Sequence, residues 1–71
     1  ELSNAIWRLN ADNLAAYTED PEVIAKVRRS YPDFNEMATY ERNGLVTGMQ
    51  YRVPDSRIRV AKRLFNVVQI T

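Results

Sequence analysis

Arg59, Lys62 and Arg63 recur at the spacing of one helix face, and Asn66 and Gln69 continue beside them. Cationic side chains in that arrangement can neutralise phosphates, while neighbouring amides can hydrogen-bond to base edges. The stretch from Arg42 to Arg63 holds six cations (Arg42, Arg52, Arg57, Arg59, Lys62 and Arg63) against the single anion Asp55. The chemistry this suggests is nucleic-acid binding, to DNA in the first instance, through Arg52, Arg57, Arg59, Lys62, Arg63 and Asn66. A competing explanation is plain solvation. The outward face of any soluble helix is polar, and basic residues late in a helix also suit its dipole. The formal net charge of +1 is low for a dedicated nucleic-acid binder.

Catalysis finds fewer candidates. The chain has no His and no Cys, so the commonest general base and the thiol nucleophile are both missing. Ser3, Ser30 and Ser56 have no histidine to activate them. Gly44 and Gly48 are the only glycines, which leaves no phosphate-cradling loop. Glu19, Asp20 and Glu22 lie close together, but they straddle a helix start, where acids are favoured electrostatically. Asp12 and Asp33 read as turn residues, and no carboxylate spacing matches a calcium loop. The expectation is a non-catalytic protein with no metal, no cofactor and no small-molecule substrate.

A second class of function is a protein-interaction, regulatory or assembly module. Residues 1–24 carry one cation and five anions, whereas residues 25–71 carry nine cations and four anions. Two copies could complement each other through that split and form a homodimer. Met37, Val46 and Gly48 would then mark an exposed sheet face, and Val67-Val68-Gln69-Ile70 could add a strand to a neighbouring edge.

These residues must be positioned by a small set of elements. Residues 5–9 alternate as a strand, Asn10-Ala11-Asp12-Asn13 is turn chemistry, and residues 14–18 read as a second strand. Asp20 is a good N-cap, Pro21 suits the first helical position, and Val23, Ile24, Val27 and Tyr31 gather on one helix face. Tyr31-Pro32 ends that helix.

Asn43-Gly44 between alternating runs predicts a hairpin with a type I′ turn. The simple register opposes Arg42 to Leu45, Tyr40 to Thr47, Ala38 to Met49, Glu36 to Tyr51 and Phe34 to Val53. Phe34, Ala38, Tyr40, Leu45, Met49, Tyr51 and Val53 then face the core, with Trp7 and Phe65. A second helix follows from an N-cap at Asp55 or Ser56, with Ile58, Val60, Ala61, Leu64, Phe65, Val67 and Val68 on its apolar arc. Its β-branched end either frays or leaves as a strand.

The predicted fold class is α+β: a two-layer ββαββα domain, with a mostly antiparallel sheet and two amphipathic helices on one face. The 71 residues make a single domain, 1–71. No apolar run approaches the roughly 18 residues of a membrane-spanning helix. A cysteine-free chain has no disulfides to form, and the expected location is cytoplasmic.

Overall fold

The computed structural model of the chain describes residues 3–71 and contains a four-stranded antiparallel sheet and two α-helices. The elements run β1 (Asn4–Arg8), β2 (Asn13–Thr18), α1 (Pro21–Ser30), β3 (Asn35–Arg42), β4 (Leu45–Pro54) and α2 (Ile58–Leu64). A 3-10 turn over Asp55–Arg57 leads into α2. In space the strands lie in the order β1-β2-β4-β3. The chain is thus α+β. Among the described residues no helix is long and apolar enough to cross a membrane.

Local chemistry accounts for the first half. The Asn10 side chain accepts from the backbone N–H groups of Asp12 and Asn13, each at 2.9 Å, and so closes the β1–β2 turn. At the start of α1 the Asp20 carboxylate accepts from the Glu22 N–H at 2.9 Å, with Pro21 at the first helical position. Thr18 is fully buried but satisfied, donating to Asn4 Oδ1 and accepting from the Asp20 N–H. Asn4 also donates to the Phe65 carbonyl at 2.9 Å. One polar network therefore joins β1, the start of α1 and the end of α2.

The core follows from strand alternation. Ile6, Leu14, Ala16, Met49, Tyr51 and Val53 come from alternate strand positions and share one cluster with Ile24 and Val27 of α1. Phe34, Ala61 and Phe65 complete it. Phe34 lies 6.4 Å from both the Tyr51 and Phe65 rings, and Tyr51 meets Phe65 edge-on at 6.1 Å. Full burial of an aromatic or branched side chain contributes about 1.5–3 kcal/mol, more than a typical helix cap. Packing, not capping, dominates here.

Trp7 departs from its expected place. Ile6 takes the core position in β1, and Trp7 falls on the opposite, outer face, half-buried across from Ala15. Consecutive residues of a strand cannot both point inward, and the Leu14, Ala16 and Thr18 row of β2 selects Ile6.

The β3–β4 hairpin has the expected turn but a different middle. Asn43 and Gly44 both take positive φ (53° and 79°), and Arg42 opposes Leu45. Register then shifts twice, between Glu41 and Tyr40 and again between Ala38 and Glu36. Thr47 is the extra residue on β4 and Met37 the extra residue on β3. Tyr40 therefore opposes Gly48 instead of Thr47, and Ala38 opposes Gln50 instead of Met49, before Glu36 meets Tyr51 again. The consequence is that Tyr40 leaves the core and is 45% exposed; Leu45, at the tip, is 72% exposed.

α2 is shorter than its apolar period suggests. It ends at Leu64, and Asn66 adopts φ of 54°. The Val67 N–H donates to the Lys62 carbonyl at 2.9 Å and the Asn66 N–H to the Arg63 carbonyl at 3.3 Å, a left-handed helix stop. Neither Asp55 nor Ser56 caps α2 with its side chain. Residues 67–71 then turn back along β1, where the Thr71 N–H donates to the Ile6 carbonyl at 3.0 Å.

Candidate nucleic-acid interface

Four of the six predicted nucleic-acid residues come together. Arg59, Lys62, Arg63 and Asn66, with Val67 and Val68, line a shallow depression of about 350 Å³ along α2 and its stop. Arg59 and Arg63 are exposed and Lys62 is half-buried, and none of these cations has an ion-pair partner among the described residues. The helix period places Arg59 one turn before Arg63, and Lys62 one turn before Asn66. The left-handed stop at Asn66 leaves its exposed side chain beside those charges.

The other two residues lie elsewhere. Arg57 Nε sits 2.8 Å from Asp33 Oδ2, close enough for an ion pair, although its N–H is not aligned for a hydrogen bond. Its guanidinium also lies 5.7 Å from the centre of the Tyr31 ring. It ties the start of α2 to the end of α1. Arg52 belongs to β4, in a cross-strand row with Ala15, Trp7 and Asn35. That row lies on the outer face, away from the cluster that includes Ala61 and Phe65.

Arg63 also borders a second groove, of about 310 Å³, with Asp20, Glu22 and Lys26 of the α1 region. The acidic start of α1 and the basic α2 are thus neighbours within one chain. Arg8, the one cation of residues 1–24, pairs with Asp55 at 2.8 Å, a bridge between the minority charges of the two segments that does not offset the split. Part of the charge split in the sequence is internal complementarity; Glu1 lies outside the described residues.

Of the three residues expected at a protein-binding patch, Met37 and Val46 are exposed and Gly48 is not. Gly48 is buried, and a Cβ there would lie 2.5 Å from the Tyr17 hydroxyl oxygen. Val46 lines a groove with Pro21, Ile24, Ala25 and Arg28 of the α1 region. Met37, the bulge residue, has its sulfur 3.8 Å from the Gln50 amide nitrogen.

An exposed sheet face is expected from the sequence, but not the aromatic side chains that occupy it. Tyr17 and Tyr40 meet edge-on at 5.8 Å over Gly48. The Tyr17 hydroxyl donates to Glu19 Oε2 at 2.8 Å, which lowers the Glu19 pKa and raises that of Tyr17. The signal available was the pairing of Ile6 with the Leu14 row, which turns Trp7, Ala15 and Tyr17 outward together. No family model, curated protein or solved structure matches the chain.

Proposed function

We propose that the protein is a non-catalytic, cytoplasmic binding domain that engages the phosphate backbone of nucleic acid, duplex DNA in the first instance. In this reading both helices pack against one face of the sheet as a second layer, and α2 presents its basic side to the ligand. The observation that carries the proposal is the grouping of Arg59, Lys62 and Arg63 around one depression, with no ion pair among the described residues. Unpaired cations retain their full attraction for phosphates, and Asn66 adds an amide able to reach a base edge or a sugar.

The test is binding to labelled duplex DNA, single-stranded DNA and RNA over a salt series. Wild type is compared with an Arg59→Ala/Lys62→Ala/Arg63→Ala variant. Three lost phosphate contacts reduce the slope of log affinity against log salt by about 2–3. An unchanged slope on duplex DNA, or no binding of duplex DNA by wild type at low salt, overturns the proposal.

A protein partner is the second reading. It is favoured by the exposed apolar side chains of the β3–β4 hairpin, Met37, Tyr40, Leu45 and Val46. Light scattering over a concentration series tests its homodimeric form, which a strictly monomeric species eliminates.

A further inference from the structure

The outer face of the sheet has a composition that suits one kind of ligand. Its large side chains are Trp7, Tyr17 and Tyr40, with Met37 at the bulge beside Gln50, and its polar ones are Asn35, Gln50 and Arg52. Between them lie Ala5, Ala15, Ala38 and Gly48, which keep the surface low around the rings. No Leu, Ile or Val occupies these rows, so the face lacks the branched aliphatic side chains that a packed helix or second sheet interdigitates with. It offers instead flat π-surfaces beside hydrogen-bonding groups and an exposed guanidinium that has no ion pair among the described residues.

Two of the rings are held in place. Tyr17 is fixed by its hydrogen bond to Glu19 and its edge-on contact with Tyr40, and the Tyr40 hydroxyl donates to Gln50 Oε1 at 3.2 Å. Rings already ordered lose little further freedom when a flat group stacks on them. Gly48 allows this arrangement, because any Cβ would drive the Tyr17 ring aside. Arg52 shares a cross-strand row with Trp7, with only Ala15 between them, so a cation and the largest ring lie two strands apart on the same face.

We propose that this face binds single-stranded nucleic acid, with unpaired bases stacking on Trp7, Tyr17 and Tyr40 and a phosphate meeting Arg52. Successive bases stacking on aromatic side chains beside a cation is how a strand without pairing partners is held. Duplex DNA fits less well, because its bases are already stacked on each other. The proposal is independent of the one made for α2, which concerns a different surface.

Trp7 is the only tryptophan, so its fluorescence reports the face directly. The protein is titrated with oligo(dT) and, separately, oligo(rU), following Trp7 emission. Saturable quenching by either strand, unchanged in the Arg59→Ala/Lys62→Ala/Arg63→Ala variant, is the expected result. Tyr40→Ala removes one stacking ring and weakens binding about tenfold or more, whereas Tyr40→Phe retains it. Arg52→Gln lowers the salt slope by about 1. Both positions are exposed, and circular dichroism confirms that the variants fold. Absence of quenching with both strands overturns the proposal, as does binding that only the α2 variant abolishes. A concentration-dependent change of Trp7 emission without oligonucleotide, showing a second copy on the face, also overturns it.

Discussion

Tyr51 brings a hydroxyl into the core, and nothing among the described residues bonds to it. The ring is essential to the aromatic cluster with Phe34 and Phe65, but the oxygen is stranded, and burial is the main cause that pushes its pKa up to about 12. A buried polar group without a partner destabilises by about 1–3 kcal/mol relative to an apolar group of the same shape. Tyr51→Phe therefore stabilises the fold by about 1 kcal/mol, measured by urea denaturation at neutral pH. A phenol whose folded-state pKa lies above its unfolded value holds its proton more tightly when folded. Stability is accordingly lost as pH rises from about 10, the unfolded value, towards about 12. The Phe variant loses less over that range, and an equal loss in both proteins contradicts this assignment. The Glu19 carboxylate has the opposite sign: its lowered pKa adds stability above the unfolded carboxylate range that disappears as pH falls.

At the scale of elements, the positions the sequence reading placed correctly are those governed by strictly local chemistry. Asp20-Pro21 starts α1, and Asn43-Gly44 makes the turn, because each requires only its own residues. The middle of the hairpin was not legible. One extra residue in β4 and one in β3 cancel over its length, so Arg42 opposite Leu45 and Glu36 opposite Tyr51 both fit an uninterrupted ladder. Only the Tyr40, Thr39 and Ala38 pairs shift, and no turn residue marks either bulge. The same limit applies at α2, where an apolar period running to Val68 hides a stop at Asn66 that depends on one left-handed residue. Asn is tolerated there, Gly is better suited, and a β-branched residue is poorly accommodated. Asn66→Gly holds or raises stability by up to about 1 kcal/mol, and Asn66→Val lowers it by about 1–2 kcal/mol. Thermal unfolding of the two variants checks this, and equal stabilities rule out the stop.

For the whole molecule, what matters is how the two edges of the sheet are finished, and this depends on contacts far apart in sequence. β3 is an edge strand with no buried residue, but it carries Glu36, Glu41 and Arg42 and a bulge at Met37, features that discourage pairing with another chain. β1 is finished by residues 67–71, which return to it through Thr71 N–H and Ile6 C=O, while Asn4 holds the Phe65 carbonyl. The largely β-branched residues 67–71 are equally compatible with a frayed end or a strand for a neighbour, because contacts spanning more than 60 residues are invisible to periodicity. Along the segment Val67 and Ile70 pack against the core, whereas Val68 is 82% exposed. If this return is part of the folded molecule, neighbouring aliphatic side chains must differ sharply in importance. Ile70→Ser loses a partly buried side chain and destabilises by about 1–2 kcal/mol. Val68→Ser changes stability by no more than about 0.5 kcal/mol. Amide hydrogen exchange adds a backbone readout, with Thr71 protected in wild type and in Val68→Ser but exchanging faster in Ile70→Ser. Equal small effects from both substitutions, with Thr71 unprotected throughout, would mean that the segment does not cover the β1 edge in solution and leaves it open to another strand.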